Sequence, residues 1–204
     1  QLETNPDSAL LLFNSINEES LSEAAFAQKC MLAGKITDKL YQAIIPTHHY
    51  ERAHHWFSEH GTPQEQSLIL LYLGRSYAED GEYNHAMKTY TKGMNIAEKY
   101  SLFDISGLIN SYMGDLYESK GMIELAIDKY KTAADLFLKD SNKKSYACAL
   151  RDCGRSYARI DSIEKAINIL LQADSIANEI DNPNVKASIA NTIAGTHLLS
   201  SNHN

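Results

Sequence analysis

LILLYLGRSYAEDGEYNHAMKTYTKGMNIA, residues 68–97, aligns without a gap with LINSYMGDLYESKGMIELAIDKYKTAADLF, residues 108–137, and with CALRDCGRSYARIDSIEKAINILLQADSIA, residues 148–177. Gly74, Gly114 and Gly154 stand forty residues apart, as do Tyr77, Tyr117 and Tyr157 and, in the same phase, Ala86, Ala126 and Ala166. One such coincidence carries little weight. Three in register define an internal repeat, and a fixed period of this length points to stacked structural units.

Each unit reads as two helices. Leu70, Leu73, Gly74 and Tyr77 recur at three-to-four spacing, the mark of an amphipathic helix. Gly81 interrupts that pattern, and Tyr83, Ala86, Met87, Tyr90 and Met94 begin a second helix. The second unit breaks at Gly121 and the third at Asp161-Ser162, which reads as a helix cap. The small residues then require a hairpin. Antiparallel helices approach to about 8–10 Å, and the closest approach admits only a minimal side chain. Gly74 and Ala86 are expected at that crossing, with Gly93, Ala133 and Ala173 making a second small contact toward the next unit.

These positions define the tetratricopeptide repeat, and over residues 67–177 the sequence resembles that family. The resemblance implies an all-α fold, a right-handed α–α superhelix (solenoid) of helical hairpins. The family's usual unit has about 34 residues. Here the unit is longer, and the helix-ending proline expected near Glu98, Leu138 and Asn178 is missing, so the second helix should run one or two turns further. Residues 67–182 hold three units. Residues 1–66 form a divergent helical region, with helices expected over 6–16, from Ser20 to about Tyr41, and from Pro46 to His60-Gly61; Pro63 opens the first clear repeat. Ala190, Gly195 and Leu198 follow Ala149, Gly154 and Tyr157 by forty-one, so residues 183–204 are the first helix of a truncated fourth unit.

That last helix carries Ile193, Leu198 and Leu199 where a solenoid end needs a polar face. Either the chain continues past Asn204 or a partner covers it, a second copy giving a homodimer. The chain begins at Gln1 without Met or signal sequence, as a trimmed or processed chain would.

Composition narrows the classes of function. Net charge is −7 and the longest basic run is Lys143-Lys144, which argues against nucleic-acid binding, where Lys and Arg must replace phosphate counterions. The apolar stretch near Leu68 to Leu73 falls far short of the about 18 residues of a membrane span. Cys148 and Cys153 point to different faces of one helix, so no disulfide is expected between them.

The runs ILLYLGRSYAEDGEYNHAMKTYTKGMNIAEK and YACALRDCGRSYARIDSIEKAINILLQADSIA, with DSALLLFNSI near the N-terminus, resemble the sensor portion of regulatory proteins from Bacteroides-type gut bacteria. The resemblance implies an exported or membrane-anchored repeat domain in signal transduction, followed in such proteins by a membrane span and a cytoplasmic coiled coil, and in some by a helix-turn-helix domain.

In tetratricopeptide arrays the first helix of each unit lines a concave groove. Carried onto this sequence, that implies a peptide-binding face bearing Arg75 and Glu79, then Ser111, Asp115 and Glu118, then Arg151, Arg155 and Arg159. Three arginines at four-residue spacing form one stripe. Two readings follow: the stripe engages a carboxylate or acidic peptide, or it pairs internally with Asp115 and Glu118 on the neighbouring helix. The Lys and Asn of the co-chaperone carboxylate clamp are missing from these positions, which disfavours a chaperone-tail receptor.

Other signals weigh less. THHYERAHHWFSEH holds His48, His49, His54, His55 and His60, but no pair has the i,i+3 or i,i+4 spacing of a helical zinc site; Trp56 and Ala53 are expected inside and the histidines solvated. Tyr77, Tyr117 and Tyr157 read as core positions. With no clustered acid, base and nucleophile, the sequence calls for no cofactor, no metal and no catalysis. The expected function is a protein- or peptide-binding scaffold; the alternative is an assembly subunit joined through the open C-terminal helix.

Overall fold

The computed structural model describes residues 6–40 and 44–201, with side chains over 8–38 and 44–199. Ten α-helices follow one another, and the described residues contain no strand. They are α1 (Pro6–Asn14), α2 (Glu23–Leu40), α3 (Thr47–His60), α4 (Pro63–Glu79), α5 (Tyr83–Lys99), α6 (Phe103–Ser119), α7 (Ile123–Lys139), α8 (Lys143–Arg159), α9 (Ile163–Ile180) and α10 (Pro183–Ser201). The expected end of the second helix at Tyr41 lies outside the described residues. The chain forms two compact units, Gln1–Ser101 and Leu102–Asn204.

Punctuation in the sequence sets these helices. Pro63 occupies the first turn of α4, where its missing N–H costs nothing. Thr62 and Glu65 close a reciprocal capping box there, the Glu65 amide donating to Thr62 Oγ1 at 3.2 Å and the Thr62 amide to Glu65 Oε2 at 2.9 Å. The turns within the repeats follow one plan. Gly81 and Gly121 take positive φ, +80° and +73°, and the amides of Glu82 and Met122 reach back to the carbonyls of Tyr77 and Tyr117, the glycine-ended closure of a helix. In the third repeat Asp161 adopts the left-handed conformation at φ 58° and Ser162 makes no side-chain cap. That departs from the expected cap: an aspartate tolerates the glycine's backbone position.

The extra length of the repeat also differs from expectation. First and second helices are both 17 residues in the first two repeats, so the added residues are shared rather than given to the second helix. Each first helix starts one turn earlier than the glycine-based alignment suggests.

Packing within the hairpins explains the phased glycines. A Cβ on Gly74 would lie 2.5 Å from the Tyr90 ring, one on Gly114 2.6 Å from the Tyr130 ring, and one on Gly154 2.7 Å from Leu170. The glycine therefore makes a slot for a large side chain one turn beyond Ala86, Ala126 and Ala166, which are themselves fully buried. The small pair expected at the crossing shares it with that large side chain: a Cβ on Gly154 would also lie 3.3 Å from the Ala166 carbonyl. The Gly93 carbonyl accepts from Ser67 Oγ at 2.8 Å within its own hairpin, and Ala133 and Ala173 share a buried cluster with Ala147, Ala149, Val185 and Ile189 of the following helices, as expected. Tyr77, Tyr117 and Tyr157 are half-buried and the core rings are Tyr90 and Tyr130, a further correction.

In α3 the buried face is Tyr50, Ala53 and Phe57. Trp56 is only half-buried and stacks on His60 at 4.9 Å. His48, His55 and His60 are exposed, whereas His49 and His54 are half-buried, so the segment is not uniformly solvated. The three cysteines are free thiols. No helix among the described residues is long and apolar enough to cross a membrane.

Candidate functional site

In the second unit α8 and α10 are parallel first helices separated by a groove of about 540 Å³. Arg155 and Arg159 line one wall and Ser188, Asn191, Thr192 and Thr196 the other, with Gly195 and Leu199 between them. Gly195 keeps the groove open, since no atom lies within 4 Å of where its Cβ would be.

The arginine stripe is anchored internally. Glu118 on α6, whose side chain is only 10% exposed, takes Arg155 Nη2 at 2.9 Å and Arg159 Nη1 at 3.0 Å. The Ser156 hydroxyl donates to it as well, at 3.2 Å. Burial works to raise the Glu118 pKa, but the hydrogen bonds and charges of the two arginines outweigh it and hold the group below the usual carboxylate range. Asp152, a buried residue that the spacing argument missed, takes Arg151 Nη2 at 2.9 Å and Arg155 Nη1 at 2.8 Å. Arg151 also donates to Ser188 Oγ at 2.8 Å, bridging α8 to the α10 wall of the groove.

Asp115 does something else. Its carboxylate accepts the Tyr130 hydroxyl at 2.6 Å. Protein walls it on several sides while the residue stays open to water. That burial, augmented by the nearby charge of Asp152, raises its pKa to about 6 against the opposing pull of Tyr130's hydrogen bond and Arg155. Ser111 is half-buried on α6. Of the expected groove residues, Glu118, Arg151, Arg155 and Arg159 thus form one network completed by Asp152, with Asp115 joined to it through Tyr130, which donates to Glu118 at 3.2 Å too.

Arg75 and Glu79 belong to the first unit, where they pair with each other at 3.0 Å. Arg75 also pairs with Asp38 on α2 at 2.6 Å. The two carboxylate–arginine clasps are related by the repeat: Asp38 to Arg75 and Glu118 to Arg155 both span thirty-seven residues. Each joins the first helix of one hairpin to the first helix of the next.

No family profile and no curated protein matches the chain by sequence. Solved structures do match. Kinesin light chain-type repeats of Podosopora anserina, described as TPR-like, superpose with a TM-score of 0.63 at 12% identity, over 88% of this chain and 85% of that one. The apo form of RapI gives 0.72 at 15% identity, over 98% of this chain and 79% of that one. The chain has the tetratricopeptide-repeat fold. A signal-transduction ATPase with a tetratricopeptide-repeat sensor, from Pyrococcus horikoshii, gives 0.70 at 19% identity, covering 95% of this chain and 30% of that protein. The all-α solenoid class expected from the repeat is therefore the observed one, and the phased glycines of this tetratricopeptide array sit at its helix crossings.

Proposed function

We propose that this tetratricopeptide array is a protein-binding scaffold, not an enzyme, whose α8–α10 groove takes a carboxylate-bearing segment of a partner. The observation that carries the reading is the groove's composition: two arginines face four hydroxyl- or amide-bearing side chains across an open channel. Glu118 and Asp152 hold the guanidinium groups in fixed orientation, yet the Arg155 and Arg159 side chains remain 40% and 48% exposed. Each guanidinium has five N–H donors, so an oriented outer edge remains available for planar recognition of a carboxylate. The Pyrococcus protein carries its repeats as a sensor. By that comparison we read this chain as the sensory or interaction domain of a bacterial regulatory protein.

Fluorescence anisotropy with a dye-labelled peptide rich in Asp and Glu, against a Lys-containing counterpart of equal length, tests the groove. The acidic peptide should bind more tightly, and Arg159→Ala with Ser188→Ala should weaken it at least about tenfold (about 1.4 kcal/mol). Equal affinity for the two peptides would refute the assignment. A second reading, assembly through α10, rests on Leu198 and Leu199, 69% and 43% exposed. Light scattering across a concentration range favours it if a dimer appears and Leu198→Glu with Leu199→Glu abolishes that dimer.

A further inference from the structure

A cleft of about 630 Å³ lies within the first unit, walled by α3 and α5 and floored by α4. The floor is apolar: Leu70 and Leu73, three residues apart on α4, are almost fully buried beneath it, and Met87 leans in from α5. One end is closed. Tyr77 donates its hydroxyl to Glu51 Oε1 at 2.5 Å, and its ring lies 5.4 Å from that of His85. That hydrogen bond, helped by burial and the Glu51 charge, pushes the Tyr77 hydroxyl up to about 12. Glu51, the carboxylate of the lining, is thereby engaged.

The opposite end has another character. His54 stands there with Lys92, the charge that acts on it most strongly, and Lys88 lies one turn away on the same face of α5. Burial first, then Lys92, depresses the His54 pKa, so the ring is neutral near pH 7. Its Nδ1 is buried and has no hydrogen-bond partner. Neither Lys88 nor Lys92 has an ion-pair partner among the described residues. In a chain of net charge −7, two unpaired ammonium groups beside an apolar floor invert the local sign.

We propose that this cleft binds a small amphipathic organic anion, its apolar body on Leu70, Leu73 and Met87 and its anionic head between Lys88 and Lys92. The volume falls within the roughly 300–1,000 Å³ of pockets that enclose drug-sized ligands. Apolar surface removed from water drives the body in, and charge complementarity fixes which end faces the lysines. Glu51 at the closed end repels a reversed pose. The site is built from second helices over a first helix, so it is separate from the arginine groove and does not depend on its reading.

The test uses 8-anilinonaphthalene-1-sulfonate as fluorescent probe, displaced by decanoate, decanol or decyltrimethylammonium. Decanoate should displace it at a concentration at least about tenfold below the neutral and cationic chains. Lys88→Glu with Lys92→Glu, both exposed positions, should raise the decanoate midpoint at least about tenfold while leaving far-UV circular dichroism unchanged. Lys139→Glu with Lys144→Glu supplies the same charge change in the second unit and should not. The inference is overturned by equal displacement by the three chains, by failure of the probe to bind, or by a smaller midpoint shift that the control pair reproduces.

Discussion

Replacing Gly114 by alanine isolates the helix crossing on which each hairpin rests. In an open helix this change is favourable by about 1 kcal/mol, because glycine loses the most backbone freedom on folding. At Gly114 the new Cβ would stand 2.6, 2.9 and 2.9 Å from Cε1, Cδ1 and Cζ of Tyr130, against a comfortable carbon–carbon separation of about 3.5–4.0 Å. Tyr130 cannot retreat easily. Its ring is fully buried and its hydroxyl is tied to Asp115 and Glu118. Overpacking of this kind costs about 1–3 kcal/mol. Gly195 in α10 provides the internal reference, with no atom within 4 Å of its Cβ position. The propensity gain is common to both sites, so the difference in unfolding free energy between Gly195→Ala and Gly114→Ala should equal the crossing cost, about 1–3 kcal/mol. Urea unfolding followed by far-UV circular dichroism measures both. Tyr130→Ala, which removes the ring that the new Cβ meets, should cost less in a Gly114→Ala background than in the parent, as contacting residues do when they couple. Equal stabilisation by the two alanines would refute the account of the phased glycines.

Two further outcomes concern the charged network. Glu118→Gln should destabilise the protein by about 1–3 kcal/mol near neutral pH, less than for a fully buried pair because both arginines are partly exposed. As the Glu118 pKa is depressed in the folded state, its contribution is present above the unfolded value and lost as pH falls through the folded one; the gap between variant and parent, read from urea midpoints, should close in acid. Asp115→Asn should act with the opposite sign. Its folded pKa is raised, to about 6 from 3.8, so the favourable contribution of the protonated acid exists below the unfolded value and disappears as pH rises through about 6. The asparagine variant should therefore gain on the parent above pH 6, by about 1 kcal/mol after allowance for solvent screening, and show no gain in strong acid. Thermal melts over a pH series check it.

Much of the fold was legible because the repeat writes itself in residues that have no substitute. Glycine under Tyr90 or Tyr130 cannot drift without a clash, so Gly74 and Gly114 hold the period in plain view. The first hairpin was harder to read. Gly34 stands forty before Gly74, and Tyr50, Ala53 and Phe57 stand forty before Tyr90, Gly93 and Ala97, so α2 and α3 share the period. Thr37 where the period calls for a tyrosine, and an α3 of 14 residues against 17 in α5, masked that relation. Gly34 even serves a different neighbour, its Cβ position lying against Tyr72 of α4. The groove was legible only as a face. Four-residue spacing aligns Arg151, Arg155 and Arg159, but the Glu118 that holds Arg155 and Arg159 comes from the preceding first helix, and Asp152 pairs with its own neighbour Arg151 as well as with Arg155 one turn on. The cleft in the first unit draws on three helices, and side chains so dispersed leave no local pattern.

The clasps set a second rhythm. Shape recurs with every hairpin, whereas the pairing of Asp38 with Arg75 recurs at Glu118 and Arg155, eighty residues later. Neighbouring hairpins consequently alternate as the lender of the acid and the lender of the guanidinium. Within each unit, losing one hairpin of the joined pair would leave a largely buried charge without its partner, so these hairpins are kept or lost in twos, and parity, not only number, is under physical constraint.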